Sequence, residues 1–312
     1  MSAVDAFFLM QPPIKQAIVQ QSDEQTRCCL RKVDRGFRSL VDSSTVRYEL
    51  MLLDLNDTEI KMKWNVFKKK PSTVAYRAHS DGCLVKHGDV EKLVRGADYL
   101  QLALQDFGSL VLKPRLTIDT FYIEPRLTGT VIIDRFLDAL RATLRALEHQ
   151  LHVTSLHIGV STNEQQILAV LPYMKPKVLS STDFTSDCLP RTVLPMEEVV
   201  RTEQFRSLKS HASGGFVSRV ALRDLPTLNS LKIALSEVSP QEVLALKNAA
   251  LVNPSFANAI IDCENFDFRA VLDTLDRPEN DGHGENVVFE SGNGEKVFGR
   301  VYRDSIVLRK DP

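Results

Sequence analysis

The sequence predicts an α/β fold. A small helical module opens the chain, β-hairpins follow, an array of helix–strand units makes up the bulk, and a small antiparallel meander closes it. Three observations carry that reading. Apolar residues recur at helical spacing between Ile14 and Val41. After Ser44 the period drops to two. From Asp89 onward helical and strand patterns alternate every roughly 25–35 residues, the range of solenoid repeats. The expected divisions are a lead-in over 1–9, a helical module over 10–45, hairpins over 46–88, the helix–strand region over 89–275, and a loop with the meander over 276–312.

In the helical module, Pro12 and Pro13 suit a first turn, and Ile14, Ala17 and Ile18 continue on one face. Ser22-Asp23-Glu24-Gln25 reads as a capping box, with Ser22 as N-cap. The helix it opens carries Cys29, Leu30 and Val33. Asp34 can cap a third helix, which runs to about residue 42 with Phe37, Leu40 and Val41 on its apolar side. Arg31, Arg35 and Arg38 fall off that stripe. A helical piece this small needs the rest of the chain or a partner to bury its apolar side.

Tyr48, Leu50 and Leu52 alternate with Glu49, Met51 and Leu53, which predicts a strand buried on both sides. Asn56-Asp57 marks a turn. Ile60, Met62, Trp64 and Val66 alternate with Lys61, Lys63 and Asn65, a half-buried strand with a basic outer face. A second hairpin is expected over 73–79 and 83–87, across Ser80-Asp81-Gly82. Val90, Leu93, Val94, Leu100, Leu104 and Phe107 then mark a helix, with a strand over 120–123. Asp134 should cap the helix of Phe136, Leu137, Leu140, Leu144 and Leu147, and 153–158 is its strand. Ser161-x-x-Glu164 is a further capping box, opening the helix of Ile167, Leu168 and Leu171 that Pro172 and Pro176 end. An extended piece follows over 178–184. Pro195 fits the first turn of a helix holding Val199, Val200, Phe205 and Leu208. Strands are expected over 216–222, 231–235 and 260–263. Ser239-Pro240-Gln241-Glu242 combines cap, N1 proline and N3 glutamate, the clearest helix start in the chain. A mobile loop is expected over 278–285, then meander strands over 287–290, 297–302 and 306–308. Such an array predicts a mostly parallel sheet with helices on one side, curved like an irregular horseshoe. An ordinary two-layer α/β domain would leave much the same pattern.

Certain wording is familiar. Leu30-Arg31-Lys32-Val33-Asp34-Arg35-Gly36-Phe37-Arg38-Ser39-Leu40-Val41-Asp42, with Met10-Gln11-Pro12-Pro13-Ile14 before it, resembles an F-box. It is close to the version in nematode F-box proteins that carry an FTH (fog-two-homology) domain. One departure is Gln11, which separates Met10 from Pro12 where most F-boxes join the two. The segment from Gln166 through Leu171-Pro172-Tyr173-Met174-Lys175-Pro176 to Leu179 is similar to the FTH "ILxxLPYLKPxxL" stretch. Glu203-Gln204-Phe205-Arg206 stands where that family has Glu-Gln-Trp-Lys. The resemblance covers most of the chain, while the roughly 25–35-residue recurrence makes the array leucine-rich-repeat-like. It implies a substrate-recognition subunit of an SCF-type cullin–RING ubiquitin ligase. Pro12, Ile14, Ile18, Leu30, Val33, Phe37, Leu40 and Val41 would then meet an Skp-type adaptor, and through it a cullin. The FTH-like region would hold a target protein.

Composition narrows the chemistry. Of 312 residues, 43% are hydrophobic and 25% charged, ordinary for a folded chain, and a net charge of -1 gives no general pull toward nucleic acid or anionic membrane. Lys68-Lys69-Lys70-Pro71 reads as a solvated turn, because no aromatic platform is interleaved with the lysines. The odd count of 5 Cys and the lack of C-x-x-C argue against a disulfide or zinc framework. His149, His152 and His157 have no acidic or cysteine partners at ligand spacing. Ser291-Gly292-Asn293-Gly294-Glu295-Lys296 lacks P-loop spacing and reads as a hairpin turn, and no G-x-S-x-G elbow is present. Cys83 or Cys188 with a distant His is the weak nucleophile pattern left. No cofactor, metal or catalytic residue is therefore assigned. No run nears the ~20 apolar residues of a membrane span, which points to cytoplasm or nucleus. Two other readings stay open: an interaction scaffold whose F-box no longer binds an adaptor, and an α/β enzyme with an unrecognised site.

Overall fold

The computed structural model describes residues 11–310 except 23, 44–45, 67–70, 114, 127–129, 161–162, 187–191, 227, 276–278, 281–284 and 291–295. The lead-in, the box serine Ser161, Cys188, the lysine turn at 68–70 and the turn at 291–295 lie outside the described residues. Helices α1 (Pro12–Gln21), α2 (Glu24–Val33) and α3 (Arg35–Ser43) come first. Strands β1 (Val46–Leu55), β2 (Glu59–Val66), β3 (Ser72–His79), β4 (Gly82–His87) and β5 (Val90–Arg95) then form an antiparallel meander. Helix α4 (Tyr99–Val111) leads to β6 (Leu116–Pro125), which pairs parallel to β1.

The strands that follow, up to Phe266, join the sheet in parallel pairs. After α5 (Thr130–Arg145) comes β7 (His152–Gly159), and after the short α6 (Gln165–Leu168) come β8 (Ser181–Thr185) and β9 (Thr192–Pro195). Helix α7 (Glu203–Arg206) precedes β10 (Ser210–Gly214) and β11 (Phe216–Arg219), with β12 (Ser230–Val238) next. Then come α8 (Pro240–Val252), β13 (Asn258–Phe266) and α9 (Phe268–Thr274). The parallel neighbours run β1-β6-β7-β8-β10-β12-β13. Strands β9 and β11 pair beyond β8 and β10. Between β10 and β11 Gly215 adopts φ 80°, and a Cβ there would meet the Ser186 carbonyl oxygen, so only glycine fits. Strands β14 (Glu279–Asn280), β15 (Glu285–Glu290), β16 (Lys296–Val301) and β17 (Ser305–Lys310) close the sheet antiparallel, β17 against β13.

A row of backbone hydrogen bonds ties the strand entrances together. The amides of Ser180, Lys209, Asn229, Ala257 and Lys310 donate in turn to the carbonyls of Thr154, Ser180, Lys209, Asn229 and Ala257. Below that row one sheet face is covered. Met51, Phe121, Leu156, Leu231 and Ala259 are buried on neighbouring strands, and Phe107 of α4 stacks on Phe121 at 5.7 Å. The opposite face carries half-exposed residues along the same strands.

Several expectations change. β1 is fully buried on one face only, because an irregular step after Tyr48 puts Glu49 and Leu50 both outward. Val90, Leu93 and Val94 belong to a strand. Gly88 and Gly96, at φ 60° and 70°, turn the chain on either side of β5, and Asp98 caps the true helix by accepting from the Leu100 and Gln101 amides. Asp134 sits inside α5, not at its start. Pro195 ends β9, and Thr202 caps the short α7 instead. Glu164 caps α6 through no side-chain bond. Ser22 donates its hydroxyl to the Ile18 carbonyl at 2.6 Å, closing α1. Glu279-Asn280, expected in a loop, pairs with β15. The capping box at Ser239 forms as read, with both reciprocal bonds made.

Among the described residues the core holds one buried histidine. His211 on β10 is 1% exposed, its Nδ1 lies 2.9 Å from the Thr182 hydroxyl, and the Phe184 and Phe205 rings meet it edge-on at 5.2 and 5.0 Å. Burial pushes its pKa down to about 4 from an ordinary 6.5, so the folded chain holds it neutral. The unfolded chain binds the proton first as pH falls. Stability from this site is therefore whole above about pH 6.5 and lost down to about pH 4. That shift corresponds to about 3 kcal/mol. Urea midpoints at pH 7 and pH 4.5 should show a smaller acid-induced loss in His211→Leu than in the parent, even if the variant starts less stable. Equal losses would show that His211 does not titrate as described.

Candidate interaction surfaces

The N-terminal helices have a core of their own. Val19, Leu30 and Phe37 are 1%, 7% and 0% exposed, with Ile18, Leu40 and Val41 packed half-buried around them. This cluster is separate from the large core of the sheet. Its fixed point is Asp34, between α2 and α3. One carboxylate oxygen accepts from the Phe37 amide at 2.7 Å, and the other lies 2.8 Å from Lys15 Nζ. Lys15 also stands 5.1 Å from the Phe37 ring centre. The Lys15 bond, then the Phe37 amide, hold the Asp34 carboxyl below its usual range. Phe37 is thus the keystone of the module's own packing. Leu30 is inside with it. Pro12, Ile14 and Val33 remain exposed, Ile14 at 51% and Val33 at 38%.

The second surface is the uncovered sheet face. The pairing sets Leu52, Tyr122, His157, Asp183, Ala212, Lys232, Ile260 and Val307 in one row across it. A second row holds Thr120, Ser155, Ser181, Ser210, Ser230 and Asn258. These side chains bond sideways along the rows. The Ser181 hydroxyl donates to Ser155 at 2.8 Å, and Ser230 donates to the Asn258 amide oxygen at 2.9 Å. The His157 ring stacks on Tyr122 at 4.3 Å. His157 Nε2 lies 3.2 Å from Ser155 Oγ and its Nδ1 3.3 Å from an Asp183 oxygen.

Serine, histidine and aspartate therefore touch in the order of a nucleophilic triad. The other half of that chemistry is missing. β7 and β8 are paired on both sides, so their ladder amides are engaged and not aimed at a developing oxyanion. The three residues also line neither of two well-formed hollows in the molecule. A polar contact surface accounts for them better. Sequence reading weighed His157 only as a metal ligand. The signal for this face was the polar alternation of Ser155 and His157 on a strand, but register alone brings Asp183 beside them. Among the described residues no group of acids, histidines and cysteines could hold a metal. Burial pushes the Cys83 and Cys263 thiols up, which disfavours thiolate chemistry at either. No described helix is long and apolar enough to cross a membrane.

Residues 134–279 match the FTH domain, from within α5 to the start of β14. F-box A protein 224 of Caenorhabditis elegans is 23% identical, over 88% of this chain and 71% of its own length. The chain is thus similar to nematode F-box proteins and carries an FTH-like region over residues 134–279. Two signature stretches of its FTH domain meet in space. The Gln204 amide, buried beneath α7, donates to the carbonyls of Pro172 and Met174, at 3.0 Å each. Phe205, beside it, packs against His211. These signatures are scaffold: the glutamine holds the turn at residues 171–174 shut. Gln204→Leu keeps the volume but strips two buried carbonyls of their donor. It should cost about 1–3 kcal/mol in chemical denaturation. A loss near zero would mean water replaces the amide there.

Proposed function

We propose that this chain is the substrate-recognition subunit of an SCF-type cullin–RING ubiquitin ligase. Residues 10–45 would dock an Skp-type adaptor, and the FTH-containing sheet would hold a target protein. The observation that supports this most is the division of the molecule. A helical module packs on its own core while keeping apolar side chains in water, and a long sheet leaves one face bare. The work is proximity: the subunit makes and breaks no bonds, and raises the concentration of a target near a charged ubiquitin-conjugating enzyme. In this reading Pro12, Ile14 and Val33 make the outer contact. Leu30 and Phe37 act from inside by fixing the helices, with Ile18, Leu40 and Val41 shared between the two roles. The setting would be cytoplasm or nucleus, with neither nucleic acid nor membrane as a partner. The alternative is a non-catalytic scaffold with a degenerate F-box. Gln11 favours it, since this residue precedes α1 without capping it and stands where the F-box pattern joins Met to Pro.

Co-expression with an Skp-type adaptor tests the choice. Wild-type chain should retain the adaptor through affinity purification. Ile14→Asp with Val33→Asp should lose it with the circular dichroism unchanged, because both residues are in water. Phe37→Ala should lose it by a different route, through about 3–5 kcal/mol of lost core packing. If the wild type never retains an adaptor while a reference F-box protein does, the scaffold reading replaces this one.

A further inference from the structure

The antiparallel meander ends on a free edge. Among the described residues β5 pairs with β4 alone, and its other side is open. No residue of β5 is buried and Val90 is 71% exposed, so nothing seals either face of the strand. Edges of this kind are often blunted by shortness, by proline or by a bulge. β5 has none of these: it is 6 residues long, contains no proline and keeps one register with β4 throughout.

The turn before it fixes which backbone groups are free. Gly88-Asp89 is a two-residue loop with φ 60° at Gly88 and no positive φ at Asp89, which makes a type II′ turn. His87 and Val90 flank that turn and so exchange their backbone bonds. Counting on in twos, Lys92 and Val94 also turn toward β4. Gly96 keeps the count, because its amide donates to the Asp81 carbonyl at 2.8 Å. The backbone groups of Glu91, Leu93 and Arg95 therefore point outward, with no strand to meet them. Their side chains stand on the bare face of the sheet. The register Asp54, Lys61, Ala75, Lys86, Glu91 runs across that face from β1 to the edge.

The sequence of this edge is complementary to itself. Turned about a two-fold axis through Leu93, a second β5 sets Leu93 against Leu93, and each Glu91 against the Arg95 of the other copy. Lys92 then faces Val94 on the opposite side of the sheet. Opposite charges and apolar pairs directly across a ladder stabilise it, and like charges destabilise it. Sliding the register one way brings Lys92 against Lys92. Sliding it the other way carries both Glu91 side chains off the end of the strand. One register alone uses every charge. In that register Lys86, Glu91 and the second copy's Arg95 form one row of alternating sign. Leu84 and Leu93 of both copies, half-buried in one chain, form the next.

We propose that β5 pairs antiparallel with β5 of a second copy of this chain, about a two-fold axis through Leu93, so that two molecules share one sheet. The junction makes about six backbone hydrogen bonds and two Glu91–Arg95 pairs. The axis stands perpendicular to the sheet, so the bare faces of the two copies lie on the same side. One strand pair covers less area than a standard stable interface, so the dimer is weak and forms with rising concentration. The inference stands apart from adaptor binding, since β5 belongs to the meander and not to the helical module.

Sedimentation of the full chain tests this. Wild-type protein should pass from monomer near about 1 μM to dimer near about 100 μM. Arg95→Glu, which faces only Gly82 in its own chain, should weaken the dimer about tenfold by setting like charges opposite each other twice. Glu91→Lys should do the same. An equal mixture of the two single variants should dimerise again, because each then meets the opposite charge at both ends, and a misfolded variant would give no such rescue. The double variant Glu91→Lys/Arg95→Glu should dimerise by itself like the wild type. Wild type that stays monomeric at about 100 μM, or single variants that dimerise as well as the wild type, would overturn the proposal. Loss in both single variants without rescue in the mixture or the double variant would overturn it too. Leu93→Cys gives a readout with no change of charge. Mild oxidation should link two copies through position 93, where paired strands bring Cα atoms within disulfide reach. Asp89→Cys, in the turn beyond the strand, should not link. Equal linking at both positions, or none at 93, would count against the two-fold axis.

Discussion

Most of the large part of the molecule depends on one constraint: along β1-β6-β7-β8-β10-β12-β13 each strand is laid parallel to its neighbour, on the same edge. Parallel neighbours cannot be joined by a tight turn, so a crossover must leave the sheet and return. Crossovers are right-handed with very few exceptions. When every strand is added on the same side, every crossover then falls on the same face. That is why Phe121, Leu156 and Ile261 are sealed under helices and loops while Tyr122, His157 and Asp183 stay in reach of solvent. The bare face is thus a by-product of chain order, available for recognition without any sacrifice of core.

The N-terminal module follows a different logic. Three short helices cannot bury much, so a single aromatic ring and a single carboxylate do most of the fixing. Phe37 fills the centre, and Asp34 ends one helix, starts the next and ties both to Lys15 on the first. Because this cluster does not merge with the sheet core, the module can be altered on its outside with little consequence for the FTH domain.

How much of this was legible in the sequence varied with the kind of signal. Local chemistry read well: the break at Asp34, the proline start of α1 and the capping box at Ser239 are decided by neighbours within a turn. Period alone misled where two patterns fit. Val90, Leu93 and Val94 sit three and four apart as a helix would have them, yet paired glycines and the hairpin partner β4 make them a strand. β10 went unread because Ser210, Ala212 and Gly214 give no hydrophobic alternation, and the burial of His211 is set by tertiary packing. The contact surface was the least legible. Ser155, His157 and Asp183 are brought together by strand register, and no local pattern encodes register between parallel strands.

The line of backbone bonds from Thr154 to Lys310 also bears on how the chain acquires its shape. All but the last of these bonds join consecutive units of the array, so closing one costs little loop entropy and leaves the next donor beside its acceptor; the last, from Lys310 to Ala257, spans α9 and the closing antiparallel strands. Ordering can therefore start at any unit and spread in either direction, as in other quasi-one-dimensional proteins. The pairing of β1 with β6 is the exception, since the whole antiparallel meander and α4 intervene between them. That closure spans the longest loop among the parallel pairs and so carries the largest loop-closure entropy.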